Sequence, residues 1–146
     1  MLNKSFGLEK PERLYLRDDI RRLFEQSSGS FIAYPLRVIY RVVPRKEEGR
    51  PAVSILISVA KKRFKHAVDR NRVKRLVREA YRLQKQSLVE EVGRHGVTLH
   101  FAVLMLDKEL PDLKTIEVAM QRIIRRLGRE LKHASNDSLP NAFQSR

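Results

Sequence analysis

The sequence predicts an α+β fold of the order α-β-β-(β)-α-β-α, a two-layer sandwich in which helices pack on a small mixed sheet. Its 146 residues, 42% of them hydrophobic, are enough for one domain with its own core. Runs that alternate apolar and polar residues predict strands, and runs with an apolar residue every three or four positions predict helices. We therefore predict a single domain over residues 1–133, with a loose arm at 1–12 and a disordered tail at 134–146.

The first half of the chain predicts one helix followed by strands. Apolar residues recur at helical spacing over about residues 17–26, which predicts a short amphipathic helix. From Leu36 to Val43 the side chains alternate, so that one face of a strand is apolar and the other carries Arg37 and Arg41. Pro35 cannot donate to a strand ladder and should split this run or mark an edge. Residues 44–51 are polar and turn-rich, which predicts a hairpin into the next strand at 52–60.

The second half predicts a basic helix, a strand and a last helix. The basic helix begins near Ala67 and is expected to end near Gln86, followed by a linker over 88–96 that contains two glycines. Val97–Leu106 is predicted to be a strand, and Pro111-Asp112 marks the start of the last helix. Gly128 should weaken that helix or end it early. The basic helix is thus a crossover between two strands, for which a right-handed connection is the default if the strands are parallel.

The stretch Lys61–Arg82 carries more than half of the chain's positive net charge. Only Asp69 and Glu79 are acidic there, and the whole chain has a formal net charge of +14. The ten basic residues are Lys61, Lys62, Arg63, Lys65, Arg70, Arg72, Lys74, Arg75, Arg78 and Arg82. Such a concentration of charge indicates a polyanionic partner, with nucleic acid as the first candidate and an anionic membrane surface as the second.

A helical projection from Ala67 onward separates this charge from the apolar residues. One arc holds Val73, Leu76, Val77, Ala80 and Leu83, and the opposite arc holds Asn71, Lys74, Arg75, Arg78, Arg82 and Lys85. Like charges at this spacing repel one another, and a solvated helix face usually mixes both signs. A polyanion along the cationic arc would remove the repulsion. The pattern therefore predicts a phosphate-binding helix rather than a merely solubilising surface.

Several other classes of protein are not indicated. The chain has no cysteine, which excludes disulfide frameworks and zinc–thiolate sites and suits the cytoplasm. Its apolar runs are too short to span a bilayer, and the first residues lack the apolar core of a secretory signal. The four histidines show no metal-ligand spacing, and no phosphate-binding loop, dinucleotide fingerprint or hydrolase nucleophile motif is present. We expect no membrane association, no small-molecule cofactor and no active site formed by this chain alone.

The basic stretch resembles the signature of the protein subunit of bacterial ribonuclease P. In that family a strand ending in Ser-Val-x-Lys-Lys precedes an Arg-Asn-Arg run followed by Lys-Arg. Here Ser58–Lys62 and Arg70–Arg75 supply the two parts, and Arg78-Glu79 and Tyr81-Arg82 follow them. The resemblance covers about residues 12–132, including an Arg-Leu start, a short first helix with Phe24, and a closing strand and helix.

The resemblance implies a role in removing the 5′ leader of precursor tRNA. The RNA subunit would hold the catalytic centre and most of the magnesium ions, while the protein binds that RNA and the leader. With their basic neighbours, the matching positions give an RNA-binding set of Lys61, Lys62, Arg63, Lys65, Arg70, Asn71, Arg72, Lys74, Arg75, Arg78 and Arg82. Ile20, Phe24 and Tyr40 would line a leader cleft between the first helix and the sheet, although Ile20 replaces an aromatic residue often found there. The resemblance also implies a left-handed crossover in place of the default.

Two other functions stay open at this point. A ribosomal or other RNA-scaffold protein would explain the charge but not the arrangement of strand, Lys-Lys and Arg-Asn-Arg. An independent nuclease would cleave RNA without an RNA subunit, and the residues indicate no site for that chemistry.

Overall fold

In the described residues, seven helices and strands follow one another in the predicted order. The computed structural model describes residues 12–14, 16–45 and 51–133, so most of the expected arm and all of the expected tail lie outside the described residues. The elements are α1 (Arg17–Glu25), β1 (Gly29–Ala33), β2 (Leu36–Pro44), β3 (Val53–Ser58), α2 (Ala67–His95), β4 (Val97–Met105) and α3 (Leu113–His133). Pro35 splits the first strand run as predicted, because the turn at Tyr34-Pro35 separates β1 from β2.

The strands form one mixed sheet in the order β1-β2-β4-β3. β1 and β4 both pair antiparallel with β2, whereas β3 pairs parallel with β4. The predicted hairpin between β2 and β3 is therefore wrong, since β4 lies between them. Every residue of β4 is buried or half-buried, as suits a central strand, while Ser54 and Ser58 make β3 better suited to an edge. The α+β sandwich with a basic crossover helix is confirmed, because α2 connects the parallel strands β3 and β4.

α2 is longer than the sequence predicted. It does not end near Gln86 but continues through the expected linker to His95, for 29 residues in all. Leu88 and Val92 are fully buried and extend the apolar face of the helix. Their burial outweighs the cost of an exposed glycine at position 93, which is about 1 kcal/mol. The helix ends at Gly96, whose φ of 65° is the left-handed conformation that closes many helices.

The main core lies between the sheet and the pair α2 and α3. Leu36, Val38 and Tyr40 of β2 point into it, as alternation predicted, together with Phe101 of β4 and the apolar stripe of α3. Gly128 does not end α3, because the buried stripe continues past it to Leu131.

α1 packs on part of the opposite face of the sheet. Its Leu23 is fully buried against Leu14 and Ala102, with Ile20, Ile39, Leu56 and Leu104 around them. This second cluster is small, so the rest of that face stays accessible beside α1. The fold thus fixes two places that matter for function, the start of the crossover helix and the surface between α1 and the sheet.

Candidate nucleic-acid interface

The loop between β3 and α2 is held in place by two of the predicted RNA-binding arginines. Phe64 is buried in the main core and fixes the middle of the loop. The Arg70 guanidinium donates two hydrogen bonds of 2.9 Å, one to the carbonyl oxygen of Phe64 and one to that of Lys65. The Arg63 guanidinium donates to the carbonyl oxygen of Leu106 at the end of β4. These two side chains therefore shape the loop that carries the lysines.

Lys61, Lys62 and Lys65 project from this loop into solvent. Their ammonium groups form no hydrogen bond or ion pair with any residue in the described parts of the chain. Arg63 and Arg70 cross-link the loop backbone, so the three ammonium groups are presented from a defined position rather than from a loose segment. An anion that binds here would meet point charges that the loop already holds in position.

The polar side of α2 forms a basic face next to this loop, consisting of Asn71, Arg72, Lys74, Arg75 and Arg78. Val73 and Val77 bury the opposite side of the helix under the core, which turns these residues outward. Asn71, Arg72 and Arg75 are exposed, while Lys74 and Arg78 are half-buried. In the part of the chain that the structure describes, no carboxylate pairs with any of them. The basic face is therefore an array of cations for which the described residues supply no counter-charge.

Arg13 adds to the basic face, although it was not among the predicted RNA-binding residues. Leu14 is buried, and its backbone N–H donates to the carbonyl oxygen of Ile55 at 2.8 Å, which fixes the segment beside β3. The pKa of Arg78 is lowered first by burial and then by the positive charges of Arg13 and Arg75. Cations that already repel one another gain most from a bound anion. The Arg-Leu pair near the start of the chain was the signal that could have identified Arg13.

The far end of the predicted cationic arc is neutralised. The Arg82 guanidinium bonds both carboxylate oxygens of Glu79, at 2.6 and 3.1 Å, and these hydrogen bonds lower the pKa of Glu79. Lys85 is not on the cationic face as predicted. It is only 7% exposed, and its ammonium lies 2.5 Å from Glu12.

Leu83, predicted to be buried, is instead 56% exposed. The difference arises because Tyr81 takes the buried place and the segment at residue 12 covers the Lys85 side of the helix. The predicted arcs are therefore correct as far as Ala80 and wrong at Leu83 and Lys85.

The structure does not bring the three predicted cleft residues together. Ile20 and Phe24 lie on α1, where Ile20 packs into the small cluster and Phe24 is 44% exposed. Tyr40 faces α3 on the other side of the sheet and is only 7% exposed. Its hydroxyl donates to Glu130 at 3.2 Å, and burial, followed by Glu130, raises its pKa to about 12. Grouping Tyr40 with the other two in one cleft is therefore wrong, because even-numbered residues of β2 face the main core.

The side chains of β2 that share a sheet face with α1 are those of the odd-numbered residues. Arg37 is exposed, and the Arg41 guanidinium donates to the side-chain oxygen of Gln26 at 3.3 Å. The pKa of Arg41 is lowered, mainly by burial and then by the charge of Arg22. Arg37 and Arg41 of β2 thus lie on the sheet face against which α1 packs, and α1 carries the exposed ring of Phe24. Cations together with an exposed aromatic ring are a combination that suits single-stranded nucleic acid.

The described residues contain neither a metal-binding cluster nor a membrane-spanning helix. Within 12–14, 16–45 and 51–133, no three histidine or carboxylate side chains come close enough together to hold a metal ion. None of the helices in those ranges combines the length and the low charge needed to cross a membrane.

The sequence and the fold both have known relatives. A family model described as Ribonuclease P matches residues 8–128. The ribonuclease P protein component of Porphyromonas gingivalis is 50% identical over 124 residues, which are 84% of this chain and 88% of the relative. That of Chlorobium phaeobacteroides is 35% identical over 129 residues, covering 83% and 88%. The solved structure of the Staphylococcus aureus RNase P protein has a similar fold, with a TM-score of 0.59 and 19% identity over 80% of this chain and 94% of that one.

Proposed function

Because the chain belongs to the ribonuclease P protein family, we propose that it binds the catalytic RNA of ribonuclease P through α2 and the 5′ leader of precursor tRNA beside α1. The observation that carries the proposal is the basic face of α2, with its adjoining loop lysines. It presents exposed cations for which the described residues supply no counter-charge. Phosphates of a folded RNA are the ligands that such an array suits, since each neutralised phosphate releases condensed counterions.

The residues of the interface have two different roles, which are to contact phosphates and to support the loop. Arg72 and Arg75 are exposed guanidinium groups that can each hold one phosphate by two parallel N–H donors. Lys61, Lys62 and Lys65 act as point charges beside them. Arg63 and Arg70 bind backbone carbonyls and so keep the loop in shape for RNA.

The second part of the proposal concerns the leader. A single strand in the cleft would place a base on the ring of Phe24 and its phosphates near Arg37 and Arg41. Mature tRNA has no leader, so this interaction would strengthen binding of the substrate but not of the product. Release of product is then not slowed by the added affinity, which favours turnover.

In this proposal the chain performs no bond cleavage itself. Hydrolysis and the magnesium ions it needs belong mainly to the RNA subunit, and the assembly works in the cytoplasm. The protein reduces the repulsion between two polyanions and orients the leader relative to the catalytic RNA.

The test is multiple-turnover cleavage of a precursor tRNA at low magnesium concentration. Ribonuclease P RNA alone, the protein alone and the two together are compared. We expect efficient cleavage only in the mixture. Cleavage by the protein alone would show that an active site on the chain was missed. Tight, salt-sensitive RNA binding without any effect on cleavage would favour an RNA-scaffold function instead.

A charge variant links that activity to α2. In R72Q/K74Q/R75Q we expect the log–log salt dependence of binding to the catalytic RNA to flatten by about 0.9 for each phosphate that the variant no longer neutralises. The matched control is R94Q/K108Q/K114Q, which removes three exposed cations outside the basic face. An equal change of slope in both variants would mean that net charge, and not the basic face, determines binding.

A further inference from the structure

A second basic groove lies between α3 and the edge strand β1. Its volume is about 300 Å³. One wall is a row of arginines from α3, and the other is the end of β1 with the turn that follows. The residues that line it include Arg122, Arg125, Arg126, Arg129, Phe31 and Tyr34. The function proposed above uses none of them.

Three of the four arginines are available to a ligand. Arg126 is held by Glu130, with 2.9 Å between its Nε and the carboxylate, and its guanidinium stacks 4.8 Å from the centre of the Phe31 ring. Arg122, Arg125 and Arg129 are exposed and follow one another at helical spacing on one side of α3. Within the described ranges they have no ion pair or hydrogen-bond partner. Three cations in a row that no carboxylate of the described ranges neutralises match the repeating charge of a phosphate backbone.

The other wall offers an aromatic surface. Tyr34 is 61% exposed in the turn after β1, and Ile32 beside it is exposed as well. β1 is paired with β2 on one side only, so the backbone groups on its outer edge form no hydrogen bonds to another strand of the described sheet. Cations near an exposed edge also discourage other strands from adding to it. Protection of the strand edge by the arginines does not require the solvent-exposed tyrosine at position 34.

We propose that this groove binds a single-stranded segment of RNA, with phosphates on Arg122, Arg125 and Arg129 and one base stacked on Tyr34. Stacking on a side chain requires a base that is free of its own helix, which a duplex does not supply. The arginines read only phosphates, so binding should depend little on base sequence.

The groove is separate from the basic face of α2. α3 packs against β1 and β2, whereas α2 packs against β3 and β4. β1 and β3 are the two edges of a four-stranded sheet, with neighbouring strands about 4.8 Å apart. The two basic surfaces therefore lie toward opposite edges of the molecule. Binding in the groove does not depend on the proposed role of α2, so the two proposals can fail independently.

The experiment measures binding of a fluorescent oligouridylate of about ten nucleotides by anisotropy. The full-length protein carries R72Q/K74Q/R75Q together with F24A throughout, which weakens competition from the basic face of α2 and from the proposed leader site beside α1. R122Q/R125Q/R129Q should flatten the salt dependence by about 2, since each phosphate of a single strand contributes about 0.7. Y34A should weaken binding by about tenfold. R94Q/K108Q/K114Q serves as the equal-charge control, and circular dichroism checks that each variant is folded.

Three results would overturn the proposal. The first is an equal weakening of binding in the groove variant and the equal-charge control, which would mean that the site is not localised. The second is a duplex of the same length that binds as tightly as the single strand, without an effect of Y34A. The third is an acidic peptide of the same charge that competes as well as RNA. A salt slope that falls only in the groove variant, together with a lower affinity in Y34A, would support it.

Discussion

Arginines at the start of α2 differ in what their side chains contact. Arg70 lies at the inner side of the helix and bonds two loop carbonyls, whereas Arg75 points into solvent. Both belong to the same basic run, and nothing in residue type distinguishes them. Burial of the neighbouring Val73 determines which arginine faces the protein. The sequence could predict the charge of this region but not its division into structural and exposed groups.

This difference predicts unequal effects on stability. R70Q removes two hydrogen bonds from a charged donor, so the free energy of unfolding should fall by about 2 kcal/mol. R75Q removes the same charge from an exposed position and should change it by less than about 0.5 kcal/mol. Urea denaturation of the two variants measures both values. Equal destabilisation would contradict the structural role of Arg70.

Tyr40 gives the protein a stability that decreases at high pH. In the folded protein its pKa is raised to about 12, whereas an unfolded tyrosine ionises near 10. Between these values the unfolded chain has released a proton that the folded chain keeps, so the free energy of unfolding falls as pH rises. Burial also raises the pKa of Tyr81, which acts in the same direction.

For Tyr40 the decrease should approach about 2 kcal/mol by the upper end of this range. Urea unfolding at a series of pH values measures it, and Y40F isolates the contribution of this phenol from that of the lysines. A Y40F variant whose stability falls as steeply with pH as that of the unaltered protein would refute the assignment.

At the scale of elements, α2 shows how far periodicity can predict a helix. Its start at Ala67 and its first buried residues agree with the prediction, because Val73, Val77 and Ala80 define a clear stripe. The end predicted near Gln86 was too early, because a glycine at position 93 generally weakens a helix or ends it. Local propensity was outweighed by burial of Leu88 and Val92, which only the packing of α2 against the sheet and α3 reveals.

The two glycines near the end of α2 should respond oppositely to substitution by alanine. Gly93 is exposed within the helix, and a Cβ there would meet no atom within 4 Å, so G93A should stabilise the protein by about 0.5–1 kcal/mol. Gly96 has a φ of 65°, which strains any other residue, so G96A should destabilise it by about 1 kcal/mol. Thermal denaturation compares the two. A lower midpoint for G93A would mean that α2 does not continue as a regular helix through that position.

At the scale of the whole molecule, the fold class was predictable and the neighbours of each strand were not. Alternation determines which residues of a strand share a face, and the even-numbered residues of β2 do face the main core. Alternation does not determine which strand lies alongside. The hairpin expected at 44–51 was therefore wrong, because β4 enters the sheet between β2 and β3 from a distant part of the chain.

The candidate sites also differ in whether a local sequence pattern could predict them. The basic face of α2 could be predicted because its residues follow one another in a single helix. The pairing of α3 arginines with Tyr34 joins residues about ninety positions apart, and no local pattern connects them. Arg13 likewise reaches the basic face only through the contact of Leu14 with β3.

The central place of β4 has a consequence for the order in which the chain can fold on the ribosome. Among the described strands, only the β1–β2 pair can form before β4 has been synthesised, because both β2 and β3 take β4 as their neighbour. Most of the sheet is therefore built from contacts between distant parts of the chain, a topology that generally folds slowly. The strongly cationic α2 leaves the ribosome before residue 105 does. It is therefore exposed before the sheet that later supports it can be completed. The nascent chain thus presents its most strongly cationic helix before it has a completed core.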